Sequence, residues 1–101
     1  ASLAASEARA RTADDAIGQA VIDAWYGLAT ARGMVAAGRD GVTAAQEALR
    51  ATRLEVRVGL KPQLAALDAE REAIAAAARL ADAEGQMHVA ARQLRALTGM
   101  E

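Results

Sequence analysis

The stretch Val56-Arg57-Val58-Gly59-Leu60-Lys61-Pro62 lies near the middle of the 101-residue chain, between two long helical patterns. Gly59 can take the positive φ at which helices end, because it has no Cβ to clash. Pro62 cannot extend the preceding helix, having no N–H to donate, but it suits the opening turn of a new one. A stop followed three residues later by a start leaves room only for a tight reversal. The stretch therefore predicts an all-α fold, a long antiparallel coiled-coil hairpin with its turn near Gly59. It also predicts two apolar residues, Val58 and Leu60, at an exposed tip.

Working upstream from the turn, Ile17, Val21, Ala24, Leu28, Ala31, Val35, Gly38, Val42, Ala45, Leu49, Thr52 and Val56 recur in alternating steps of four and three. Such a heptad seam, held for more than five heptads, is the pattern of one long coiled-coil helix. The dozen residues before it carry little apolar pattern and read as a fraying end. Ile22, Trp25, Ala29 and Ala36 form a second set beside the seam, so this helix is expected to meet neighbours on two sides. Trp25 reads as a core or interface anchor. Gly38-Arg39-Asp40-Gly41 has the composition of a turn, which would make three helices. The seam nevertheless keeps its phase through it, with Val35, Val42 and Leu49 each seven apart, and a turn has no reason to preserve phase. The expectation is one helix over about 4–57, on the order of 80 Å long, a turn at 58–61, and a second helix over about 62–97.

Downstream, Leu64, Leu67, Ile74, Ala78 and Ala81 read as the buried stripe of the second helix, giving way to Leu80, Met87, Leu94 and Leu97. Glu70, Arg71 and Glu72 read as a solvated face. Thr98-Gly99 places glycine where a helix cap is expected.

Composition limits what such a hairpin can do. The chain is 53% hydrophobic yet 2% aromatic, and thirty of its residues are alanine, which favours helix but buries little area per side chain. The predicted core is thin, and with no cysteine there is no disulfide to reinforce it. Self-association, or membership of a longer chain, is the expected remedy. A net charge of −1 argues against nucleic acid and anionic membrane as partners. No apolar run approaches the ~20 residues of a membrane-spanning helix, and Ala1-Ser2-Leu3 lacks the basic and apolar parts of a signal peptide.

Chemistry is sparse. His88 is the sole histidine, with no cysteine or second histidine to complete a metal site. Asp14-Asp15 reads as acidic residues complementing a helix dipole. Asp68, Glu70 and Glu72 fall on different faces and form no acid–base pair. No phosphate-binding loop is present. The expectation is no enzyme, no cofactor, no metal and no catalytic residue.

The tip and its flanks resemble the TolC-like outer membrane factors, the trimeric exit ducts of efflux pumps and type I secretion systems. The residues that carry the resemblance are Ala44-Ala45-Gln46-Glu47-Ala48-Leu49, Val58-Gly59-Leu60-Lys61, Leu67-Asp68-Ala69-Glu70 and Leu94-Arg95-Ala96-Leu97-Thr98-Gly99. They match that family's Ala-rich helix, its V-G-[TL]-[RK] turn, its D-x-L-D-A helix opening and its A-L-x-G helix end. The match covers nearly the whole chain and needs no gap through the glycines.

The resemblance implies the second of two periplasmic hairpins in a protomer, three protomers building a twelve-helix tunnel at the outer membrane. It implies that the tip meets the periplasmic adaptor protein, with Val58, Gly59 and Leu60 at docking positions. Lys61 matches a basic residue that latches the closed entrance, and Asp68 the inner of two acidic positions ringing it. Two departures stand out. The outer acidic position is Ala65, which puts a doubled acidic ring in doubt, and Pro62 replaces a more usual Thr. The family's β-barrel, its only membrane-embedded part, and its first hairpin lie outside this sequence, so the chain is expected to be part of a larger channel protein. The competing class is a stand-alone coiled-coil interaction or scaffold module, including an adaptor's own hairpin. Adaptor hairpins carry an R-x-x-L run along the helix and flanking lipoyl-like strands, and neither pattern is found here.

Overall fold

The computed structural model describes residues 2–99, and two helices account for nearly all of them. Helix α1 spans Ser2–Arg57 and helix α2 spans Gln63–Thr98. They lie against each other in a rod 85 Å long and 23 by 13 Å across. The expected hairpin forms, with its turn at Gly59 and no strand among the described residues.

Helix α1 runs without a break through Gly38-Arg39-Asp40-Gly41. Gly38 serves the packing there. A Cβ added to it would lie 3.2 Å from Leu80 Cδ1 and 3.3 Å from Leu80 Cα, so the two backbones approach as closely as a hydrogen side chain allows. A larger residue at 38 would therefore require Leu80 to give way by a few tenths of an ångström.

The seam of α1 is buried or half-buried from Val21 to Val56, with Leu28, Ala31, Val35 and Ala45 the most enclosed. Ile17, its first expected member, is exposed. The reason is length. Helix α1 has 56 residues and α2 has 36, a difference that leaves about 30 Å of α1 with no partner alongside. Ser2 to Gln19 are accordingly all exposed.

Helix α2 corrects part of the sequence reading. Leu64, Leu67, Ile74, Ala78 and Ala81 point away from α1. The seam is instead Ala66, Ala69, Ala73, Ala76, Leu80, Ala83, Met87, Ala90 and Leu94, again in alternating steps of three and four. Close approach of the helices leaves room for alanine and excludes most larger side chains, so small residues outcompete leucine for the interface. Leu97 is also exposed, whereas Leu80, Met87 and Leu94 lie where expected. The resulting core is thin: five of its seven buried residues are alanine, and none is fully enclosed. Trp25 stands on the surface, as do Ile22, Ala29 and Ala36, so it anchors nothing within the hairpin.

Across the seam, Arg53 of α1 reaches Glu70 of α2, Nη2 to Oε1 at 3.0 Å. Glu70 is thus half-buried at the helix junction, and of the expected solvated trio only Arg71 and Glu72 are exposed. At the far end Gly99, with φ 71°, caps α2 by donating its N–H to the Arg95 carbonyl.

Candidate functional site

The end of α1 and the turn are built by one hydrogen-bond pattern. Gly59 adopts φ 82° and donates its N–H to the Val56 carbonyl at 3.1 Å. Leu60 donates to the Glu55 carbonyl at 2.8 Å, and Lys61 donates to the same oxygen at 3.3 Å. A left-handed glycine with nested 5→2 and 6→1 bonds is the Schellman termination, which satisfies carbonyls a helix end would otherwise leave open. Pro62 follows in extended conformation, φ −73° and ψ 159°, at the N-cap of α2 and one residue ahead of it. Its carbonyl accepts the Ala65 N–H at 3.0 Å and starts the new helix.

This geometry fixes where the apolar side chains go. In a Schellman motif the residue after the glycine commonly folds back onto the residue five before it. Here these are Leu60 and Glu55, and a side chain that ends in a carboxylate offers leucine far less apolar surface than an aliphatic one. Leu60 is 75% exposed, and Val58 is 61% exposed. Leu54, Leu64 and Leu67 are exposed close to the turn in sequence, so both helices bring further apolar residues towards the tip.

The charged positions are arranged differently from the apolar ones. Lys61 Nζ lies 3.3 Å from Glu55 Oε2, an ion pair within the hairpin between an exposed lysine and a half-buried glutamate. Such pairs contribute about 0–1 kcal/mol, so it steers side chains more than it stabilises them. Asp68 is exposed and makes no ion pair among the described residues. Lys61 and Asp68 are therefore not brought together within one hairpin. Glu55 had no role in the sequence reading. Its signal was available in its spacing, four residues before a capping glycine and six before a lysine.

Nothing else among the described residues has the makings of a reaction centre. A groove of about 750 Å³ follows α1 from Gln46 to Arg57, open to solvent and lined by Glu47, Arg50, Arg53 and Arg57. It holds no nucleophile next to a base. Among the described residues no group of His, Cys, Asp or Glu converges on a metal position, and no helix is long and apolar enough to cross a membrane.

Residues 1–100 match the family of outer membrane efflux proteins. The chain is 40% identical over 85 residues to the outer membrane efflux protein BepC of Brucella suis. That alignment covers 84% of the chain and 19% of BepC, so the chain spans about a fifth of the length of this relative. No solved structure matches the chain. The family is one of transport channels rather than enzymes, and a match along essentially the whole length places this helical hairpin within it: the chain belongs to the outer membrane efflux protein family.

Proposed function

We propose that this chain is the second periplasmic hairpin of a trimeric, TolC-like export duct, and that its tip docks the periplasmic adaptor of a tripartite efflux or type I secretion system. The membership of the family and the unbroken hairpin support the first part. One observation carries the second: Leu60 leaves the turn with 75% of its surface in solvent. A turn between solvated helices is ordinarily polar, whereas this one offers Val58 and Leu60 on either side of Gly59. Beyond its chain neighbours, no atom lies within 4 Å of the place a Cβ on Gly59 would take, so a second helical tip can come close to it. Burying one leucine against a partner contributes roughly 1.5–3 kcal/mol, more than a tenfold change in affinity.

In the assembled duct, three copies of Lys61 and Asp68 line the periplasmic entrance, where Lys61 latches the closed state and Asp68 forms a single acidic ring. The remainder of the protein supplies the first hairpin and the membrane-embedded barrel. The test uses the full-length parent protein. Leu60→Asp should abolish adaptor binding and export while trimer formation and helicity persist, and Glu72→Asp, on an exposed face, should do little. Adaptor binding that survives Leu60→Asp would remove the docking role and leave the hairpin as duct wall alone.

A further inference from the structure

The carboxylate of Glu55 pairs with Lys61, and its backbone carbonyl meanwhile holds the N–H groups of both Leu60 and Lys61. Backbone and side chain thus act separately at this position. The carbonyl closes the helix, a job any residue can do. The carboxylate occupies the spot at which an apolar residue would collect Leu60. Leu54, one residue earlier, does not replace it: Leu54 is 55% exposed, so neither leucine covers much of the other.

We propose that Glu55 is a positioning residue for the tip: by denying Leu60 an apolar contact on α1 and engaging Lys61 instead, it keeps Leu60 available to an apolar partner. This rests on the docking reading of Leu60 and adds a determinant one turn of helix away from the docking surface. An apolar residue at position 55 would complete the helix-end contact, cover Leu60 within the hairpin, and release Lys61.

The experiment measures binding of the purified full-length trimer to its purified adaptor. Glu55→Leu should weaken binding by about tenfold, the scale set by withdrawing part of one leucine side chain. Glu55→Gln, which is still not apolar, should stay within about twofold of the wild type. In a Leu60→Ala background Glu55→Leu should add nothing, because the side chain it captures is gone. Methyl–methyl contacts between residues 55 and 60 in the Glu55→Leu protein should report the capture directly. Glu55→Met serves as the second apolar variant if leucine disturbs the trimer. Two results would overturn the positioning role while keeping the docking role: Glu55→Leu binding like the wild type when Leu60→Ala does not, or Glu55→Gln losing as much affinity as Glu55→Leu. Equal losses from Glu55→Leu with and without Leu60 would also overturn it. Unchanged binding by Leu60→Ala would instead bring down the docking reading itself.

Discussion

Three glycines in this chain face three different physical demands, and alanine substitution should separate them. Gly59 sits at φ 82° with open space around it, so a Cβ there costs only backbone energy. For an L-residue in the left-handed region that is about 1–2 kcal/mol, and Gly59→Ala should lower the thermal midpoint accordingly. Gly33 lies inside α1 with nothing within 4 Å. Gly33→Ala should therefore raise helix stability by about 1 kcal/mol, the propensity difference alone. Gly38 has the same propensity to gain but meets Leu80 at 3.2–3.3 Å. Gly38→Ala should fail to show the gain seen at Gly33. Circular dichroism melts of the three variants test the set, and a Gly38→Ala protein as stabilised as Gly33→Ala would show that the helices are not held at this distance. Of these roles, the one at Gly59 was legible in the sequence, because a Gly three residues before a Pro admits few conformations. The role of Gly38 was not, since close approach depends on what lies across the seam.

At the scale of the helices, the two seams differ in how clearly the sequence declares them. Helix α1 marks its buried face with Val21, Leu28, Val35, Val42, Leu49 and Val56, and burial follows the heptad wherever α2 lies alongside. Only Ile17 departs, because pairing ends before it. Helix α2 carries two apolar stripes, and bulk points to the wrong one near the turn. Leu64, Leu67 and Ile74 are larger than the alanines that win, yet they stand exposed while Ala66, Ala69, Ala73 and Ala76 take the face towards α1. Size complementarity across an interface is invisible from either helix alone. The same argument predicts an overpacking effect. Gly38→Leu should push α1 from α2 and destabilise the hairpin by roughly 1–3 kcal/mol, and Leu80→Ala in the same chain should recover part of the loss. A cycle of these variants showing simple additivity would mean the two positions do not touch. The tip followed a similar rule: its apolar pair could be read directly, whereas the Glu55 carboxylate that leaves Leu60 bare emerged only from the helix-end geometry.

The whole molecule is a rod with more apolar surface on its outside than its thin core can account for. Leu64, Leu67 and Ile74, the last 70% exposed, form a stripe on the back of α2, and Ile22, Trp25 and Tyr26 stand out from α1. Two stripes on one helix, one satisfied and one open, are what a helix flanked by two neighbours carries. Covering the three α2 side chains from their present exposure would be worth roughly 3–5 kcal/mol. Association of free molecules costs about 4–15 kcal/mol, so that stripe alone cannot hold separate chains tightly together. Hairpins tied into one larger protein escape much of this cost, because a linker raises the effective concentration to about the millimolar range. The isolated chain should then self-associate weakly, with a mean mass in sedimentation equilibrium that climbs with loading concentration. Ile74→Glu combined with Leu67→Glu should reduce that climb without loss of helicity, since both residues are exposed in the hairpin. A chain that stays monomeric at every concentration and melts at high temperature would show that the hairpin stands alone and that its outer stripe covers nothing.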